Sequence, residues 1–495
     1  MSLIKRLAGE TVIYGLSSVL GRALGLLLLP LYTAVFNERE FGINVELYAW
    51  AAVLYVFFLL RFDTAFFRFG SRDAKSSFNT AFTSVSLFAA IIGFLLFFLA
   101  PYIGSWMLLE ERYFYLLRLL AGILFFDALS EIPFAYLRLQ NKALRFATIK
   151  IINICTNLFF NFSFLLFIPA LLEKGYLTKI FSWYDPAIGL GFIFISNLIA
   201  SILAFVLLLP DWRRVRLKID KNLLSQMWKY AFPLVIVSIA GIVNELLDRM
   251  LLKRLLPYDL AKNEYLLGVY GAAYKFSIFI ALFTQAFRYA AEPFFFKNAD
   301  NKNAPDIYGQ VGKYFVIAGS IGFLVILLYM DYFKIILRQP GFHEGLGVVP
   351  ILLLANIFLG LYYNLSVWYK LTDRTRYAMY IALGGSTITI LLNLLWIPKY
   401  GYWGSAWATF ICYGAMTLAS YLIGKRFYPL KHDLLRILGY MLFAVILWKS
   451  ATYFSDYLDL PAFLRNIFFL LVIVLYIFFA YRVERKELRH WLGVK

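Results

Sequence analysis

The sequence predicts an all-α polytopic membrane protein of about fourteen transmembrane helices, with two pseudo-symmetric six-helix lobes followed by two C-terminal helices. Three observations carry this prediction. The 495 residues are 62% hydrophobic and 16% charged, with a mean hydropathy of +0.72, whereas a soluble chain of this length covers its domains with more charge. Only helices or closed barrels satisfy the backbone in lipid, and the apolar runs are continuous, rich in Leu, Ile and Phe, and lack period-two alternation, which selects helices over a barrel. The first six runs also resemble the next six.

In chain order the expected spans are 11–36, 44–70, 79–101, 113–136, 147–170 and 187–209, then 227–253, 265–292, 311–330, 346–369, 377–397, 402–424, 434–454 and 460–482. Lys5 and Arg6 ahead of an apolar run look like a signal peptide. The run 11–36 is too long for an h-region and lacks a small-x-small cleavage site before Asn37, so it is read as an uncleaved first span. With the N-terminus inside, the cytoplasmic connections carry most of the Lys and Arg, including Arg72, Lys75, Arg138, Lys142, Arg145, Lys218, Lys370, Arg374 and Arg482. The positive-inside rule then puts both termini in the cytoplasm.

The repeat rests on named matches. The segment from Phe41-Gly42 to Asp73 resembles the segment from Leu267-Gly268 to Ala299; Arg22 and Pro30 have the spacing of Arg249 and Pro257; Leu139-Gln-Asn141-Lys142 resembles Leu371-Thr-Asp373-Arg374. The expected organisation is an N-lobe at 1–209, a basic cytoplasmic linker at 210–226, a C-lobe at 227–424, and two further spans with a tail at 425–495. Parallel six-span repeats of this kind place a binding cavity at the repeat interface near the midplane.

The net charge of +19 lies in short loops, with no soluble segment long enough to be a nucleic-acid reader. Cys155 and Cys412 fall inside expected spans, and His343, His432 and His490 lie in loops or the tail, so no metal or cofactor site is expected. No phosphate loop, zinc motif or Ser/His/Asp set stands out, and the expected extracytoplasmic connections 171–186 and 331–345 are brief, so an enzyme is not expected.

Ionisable groups within spans are costly in lipid and usually face protein or a water-filled cavity. Arg22 sits with Gly15, Ser18 and Gly25 on one face of span one. Span two carries Arg61 and Arg68 seven residues apart on one face, with Asp63 on another side. Span four holds Asp127 and Glu131, and span five Lys150. Span seven carries Glu245 and Arg249 at i,i+4 with Asp248 beside them, and span eight Lys275, Arg288 and Glu292. Bland readings exist for most of these: Arg68, Lys150 and Glu292 reach the interface by snorkelling, Glu245–Arg249 and Arg288–Glu292 are intrahelical pairs, and Asp127 and Glu131 cap or pair with Arg138 in the adjoining loop. Arg22 and Arg61 have no carboxylate at i±3 or i±4 and are the stronger cavity candidates. Arg22, Arg61, Arg249 and Arg288 together suit an anion such as a pyrophosphate, because guanidinium stays charged and offers a planar fork of donors. Asp63, Asp127, Glu131, Glu245 and Asp248 are then the candidates for coupling to a proton or Na⁺.

Several motifs resemble those of polysaccharide transporters, including the O-antigen lipid-intermediate flippases of the multidrug/oligosaccharidyl-lipid/polysaccharide (MOP) exporter superfamily. They are Leu3-Ile-Lys5-Arg6 through Ser18, Arg22, Leu29-Pro30-Leu-Tyr32, Glu40-Phe-Gly42, Asp63-Thr-Ala-Phe-Phe-Arg68-Phe, and Gly401-Tyr-Trp-Gly404-Ser-Ala-Trp-Ala-Thr409. The resemblance implies a V-shaped MOP/MATE-like carrier in the bacterial inner membrane. Such a carrier moves an undecaprenyl-pyrophosphate-linked oligosaccharide by ion-coupled alternating access, beside glycosyltransferases and a polysaccharide polymerase. The related lipid II flippases keep arginines in spans one, two and eight, where Arg22, Arg61 and Arg288 lie here. Multidrug members place carboxylates in the cavity; span one here has Arg22 instead. A cation-coupled multidrug exporter, a lipid II flippase and a membrane glycosyltransferase or polymerase are the alternatives.

Overall fold

The computed structural model describes residues 25–212, 217–297, 303–428 and 433–492. The expected cavity residue Arg22, the linker residues Arg213, Arg214 and Arg216, and the Glu292 side chain fall outside the described set. The described residues form helices joined by short connections, with no strand among them. Thirteen of these helices are long and apolar enough to cross a membrane, and the described part of span one adds a shorter apolar helix.

The main helices of the first half are α1 (Leu29–Val35), α2 (Glu38–Leu59), α3 (Phe62–Gly70), α4 (Ala74–Phe98), α5 (Phe114–Leu139), α6 (Ala143–Phe162), α7 (Gly191–Trp212) and α8 (Lys221–Leu255). They continue with α9 (Leu260–Tyr274), α10 (Ile278–Lys297), α11 (Ala304–Leu328), α12 (Val349–Leu365), α13 (Val367–Leu371), α14 (Arg376–Tyr400), α15 (Tyr402–Phe427), α16 (Leu434–Tyr457) and α17 (Ala462–Leu492). Two compact units result: residues 1–254 with 259–268, and residues 255–258 with 269–495. The seventh span, expected to open the C-lobe, therefore clusters with unit 1, and α9 crosses the division after Gly268.

Polar caps set several helix starts. Asn37 and Glu40 form a reciprocal capping box at α2, and the Asp73 carboxylate accepts from Lys75 and Ser76 at α4. Asp220 accepts from the amides of Asn222 and Leu223, so α8 starts six residues before the span expected at 227. At 1.5 Å per residue its 35 residues run about 50 Å.

Unit 1 centres on α5, which packs against α2, α4 and α7, with α6 against α7. Its contact faces carry small residues: Ala65, Ala81, Ala89, Ala128 and Ala135 are wholly buried. Helices gain no hydrophobic drive from leaving lipid tails, so close approach through small side chains supplies the packing. The outer face of α4 exposes Leu87, Ile91, Phe94, Leu95 and Phe98, and that of α17 exposes Leu470, Leu471, Val474, Leu475 and Phe478. Apolar surface on this scale belongs against hydrocarbon, which makes this a multi-pass membrane protein.

In unit 2, α12 packs on α15, α11 and α10; α15 on α14; and α16 with α17 on α11. The repeat carries a backbone signature. Asn141 after α5 and Asp373 after α13, matched in the sequence, both adopt left-handed conformations, with φ of 56° and 54°. Such residues end helices without glycine because a short polar side chain tolerates that region.

Candidate functional site

The second span is not one helix. α2 ends at Leu59, Leu60 and Arg61 take φ of 49° and 57°, and α3 begins at Phe62. Two consecutive left-handed residues without glycine cost roughly 1–2 kcal/mol each. Such strain persists only where surrounding structure over-determines it, and it collects at functional sites.

The break changes the expected side-chain geometry. On a continuous helix Asp63, at i+2, would point away from Arg61. Here Arg61 Nη1 lies 3.9 Å from Asp63 Oδ2, and Arg61 Nη2 donates to Thr64 Oγ1 at 2.9 Å. Arg61 and Arg68 likewise no longer share a helix face: Arg68 is exposed, with its guanidinium 4.3 Å from the Tyr230 ring centre. Arg61 Nε and Asp63 Oδ1 are buried without a hydrogen-bond partner in the protein. Buried donors and acceptors left over in this way mark a place for a polar ligand, ion or water.

Around this break unit 1 gathers three of the predicted carboxylates. The Tyr55 hydroxyl bonds to Glu131 and lies in the electrostatic reach of Asp127 and Asp63. Asp127 accepts from Ser201 on α7 and is within reach of Lys150. Glu131 lies 3.5 Å from Arg138 Nη2, the loop pairing the sequence allowed, while Lys150 Nζ sits 4.1 Å above the Phe134 ring. Tyr48, which accepts from Asn197 at 3.0 Å, and Tyr32, which donates to Asn161 at 2.9 Å, extend this polar interior. The sequence missed these tyrosine–amide pairs because their partners lie more than 120 residues away.

The α8 candidates separate by exposure. Glu245 is exposed, whereas Asp248 and Arg249 are buried, and the Arg249 amide donates to Asp248 Oδ1 at 2.8 Å. Arg61, Arg249 and the five predicted carboxylates belong to unit 1; Arg288 belongs to unit 2.

In unit 2, Arg288 on α10 and Lys370 on α13 line one pocket with Tyr363, Asn364, Ser366 and Phe287. The Arg288 guanidinium lies 4.9 Å from the Tyr363 ring centre, which holds the fork against an aromatic face. Two cations and several hydroxyl or amide groups over apolar walls suit an amphiphilic anion. Lys370 was read from the sequence only as a topology charge.

Residues 7–298, more than half of the chain, match the polysaccharide biosynthesis protein family, and the chain belongs to that family. No curated protein sequence matches it. Among solved structures it is similar to the lipid II flippase MurJ in an inward closed conformation, with a TM-score of 0.72 at 16% identity, covering 95% of this chain and 99% of that one. It is also similar to an inward-facing multidrug resistance MATE family transporter of the MOP superfamily, with a TM-score of 0.61 at 12% identity over 83% of this chain and 95% of that one. An outward-facing MATE transporter gives 0.55 at 14% identity, over 86% and 96%. The fold is that of the MOP transporters, as the motif resemblance implied.

Proposed function

We propose that the protein is a flippase that carries an undecaprenyl-pyrophosphate-linked oligosaccharide, such as a polysaccharide or O-antigen repeat unit, across the bacterial cytoplasmic membrane. The observation that carries this reading is the Arg288–Lys370 pocket in a member of the polysaccharide biosynthesis family. A diphosphate matches paired cations, and the apolar walls suit the start of a lipid chain. Arg22, Arg61, Arg249 and Arg288 are the anion-binding side chains in this reading. Asp63, Asp127 and Glu131 are the leading coupling groups, with Glu245 and Asp248 behind them, and the coupling ion is a proton or Na⁺. Segments 1–209 and 227–424 act as the lobes, 210–226 joins them on the cytoplasmic side with both termini, and 425–495 is an addition. The protein carries its substrate and does not transform it; glycosyltransferases supply the lipid-linked sugar and a polymerase consumes it.

A second reading, lipid II as cargo, is favoured by the likeness to MurJ. A multidrug exporter of cationic drugs fits less well, because the unit 2 pocket is lined by Arg288 and Lys370 and by no described carboxylate.

The test uses proteoliposomes carrying either a fluorescent undecaprenyl-pyrophosphate oligosaccharide or fluorescent lipid II, with translocation followed by leaflet-selective quenching. Arg288→Gln with Lys370→Gln lowers oligosaccharide translocation at least tenfold. Unchanged rates reject the anion-site assignment, and faster transport of lipid II moves the cargo to the second reading.

A further inference from the structure

Unit 1 contains a second charged cluster, separate from the carboxylates at the helix break. The Lys253 side chain, near the end of α8, has no solvent exposure; its Nζ lies 3.1 Å from Glu46 Oε2 on α2 and 3.0 Å from Glu264 Oε1 on α9. Both carboxylates are 1% exposed. The second oxygen of Glu264 accepts from Arg39 Nε at 2.7 Å, and Arg39 also pairs with Glu110, which in turn accepts from Arg112. Asn263 donates to the Lys253 carbonyl at 3.0 Å. Acid and base thus alternate from Glu46 through Lys253, Glu264 and Arg39 to Glu110.

Beside this chain the backbones of α2 and α9 touch through the two glycines matched in the repeat. A Cβ on Gly42 would lie 2.1 Å from the Glu264 carbonyl oxygen, and one on Gly268 would lie 1.8 Å from the Glu38 carbonyl oxygen. Each would also approach the other glycine's amide nitrogen to 2.9 Å. Only hydrogen fits at either position, so the approach is made by backbone and cannot relax by a rotamer change. The segment held here, 259–268, is the part of α9 that belongs to unit 1; beyond Gly268 the chain enters unit 2.

We propose that Lys253, Glu46, Glu264 and Arg39, with the Gly42–Gly268 contact, form a latch whose release lets α9 part from α2 and opens the transport path at this end of the molecule. The inference rests on the transport reading above. Buried ions make the latch two-state: Lys253 cannot leave one carboxylate gradually without stranding a charge in a dry interior. The closed form needs both the ionic chain and bare backbone at the glycines, so removing either favours release.

The test is thiol labelling of the full-length protein in detergent. The background is Cys155→Ser with Cys412→Ser, and the reporter is Leu267→Cys, at a residue that is fully buried in the structure. Gly42→Ala and Glu264→Gln each raise the maleimide labelling rate of this cysteine at least tenfold. A second reporter, Met227→Cys at the far end of α8, stays protected in both variants, which separates local release from unfolding. Where Glu264→Gln does not purify as a folded protein, Arg39→Gln at the outer end of the chain takes its place. Labelling of Leu267→Cys within twofold of the background in these variants overturns the latch, as does equal labelling of both reporters. Because the readout is accessibility, a failed translocation assay leaves the latch result standing, and the reverse also holds.

Discussion

Two lysines in this membrane protein are buried against pairs of glutamates, and their settings differ instructively. In unit 1 Lys253 joins Glu46 and Glu264, carried by α2 and α9, beside the point where the chain changes units. In unit 2 Lys313 on α11 pairs with Glu484 and Glu487 on α17, and Arg436 on α16 lies 3.7 Å from Glu484, which also accepts from the Tyr440 hydroxyl at 2.6 Å. The second network pins the two C-terminal helices to unit 2 and is reinforced by a phenol; the first holds a segment that crosses the division and is flanked by a backbone contact only glycine permits. The same ionic chemistry thus serves a fixed attachment in one place and a releasable one in the other.

The largest expected effect comes from deleting either ammonium. Lys253→Met and Lys313→Met each remove the ammonium that two carboxylates share, a loss of about 3–5 kcal/mol, read as a lowered midpoint of thermal unfolding in detergent. That leaves only Arg39 on Glu264 in the first network, and Arg436 on Glu484 and Glu487 in the second. The comparison predicts different local consequences. Lys313→Met makes the α16–α17 pair sensitive to limited proteolysis, whereas Lys253→Met leaves that pair protected. Equal cleavage in both variants would show that the two networks are not separate.

A smaller effect is expected when a whole network becomes apolar. Glu46→Leu, Lys253→Met and Glu264→Leu together remove the desolvation penalty along with the pairing, so stability is unchanged or rises by about 1–4 kcal/mol. If the cluster is a latch, this triple variant unfolds no earlier than the parent but loses translocation.

Next comes the strained backbone of span two. Leu60→Gly relieves a left-handed leucine, a gain of about 1 kcal/mol, but also removes a buried side chain, a loss of about 2–5 kcal/mol. The unfolding midpoint therefore falls, though by less than in Leu59→Gly, where the leucine is helical. Lowered translocation in the same variant would tie the strain to function.

The smallest effect is on pH dependence and concerns the outer end of each network. Burial pushes the Glu110 carboxyl up, but hydrogen bonds from Arg39 and then its charge, with Arg112, hold it below the ordinary value of 4.5. Glu487 behaves alike: burial raises it, and Lys313 followed by Arg436 brings it below 4.5. For a carboxyl depressed on folding, the stabilisation is present above the unfolded value and is lost as pH falls through the folded one. Both residues are about one-third exposed, so solvent screens the gain. The expected outcome is a modest fall in unfolding midpoint below about pH 4.5, with a shallower acid limb in Glu110→Gln and in Glu487→Gln.

Much of the fold is legible in the sequence because membrane spans announce themselves by length and apolarity, and loops by their cations. Local packing is less legible. Leu60–Arg61 contains neither Gly nor Pro, so nothing in composition marks the break, and the helical-wheel placement of Asp63 and Arg68 failed with it. The start of α8 was hidden in a polar stretch, although Asp220 ahead of Lys221 is a recognisable N-cap. Tyr55 was invisible because its role arises from Glu131, Asp127 and Asp63 on other turns and helices. Lys253, Glu46 and Glu264 carry no role in the sequence reading, because each lies within two residues of an end of an expected span, where charges are ordinary. Only tertiary contact across more than 200 residues shows that the two glutamates share one ammonium.

The break in span two also has a mechanical meaning. A continuous helix transmits bending and torsion from end to end through its ladder of hydrogen bonds. At Leu60 and Arg61 that ladder is interrupted, leaving a 22-residue rod and a 9-residue rod joined by a left-handed turn. The long rod carries Glu46 and the Gly42 contact; the short one carries Asp63. Force applied at the Gly42 end can be spent at the joint before it reaches the Asp63 carboxylate, so one span can move at one end while holding its charge in place at the other.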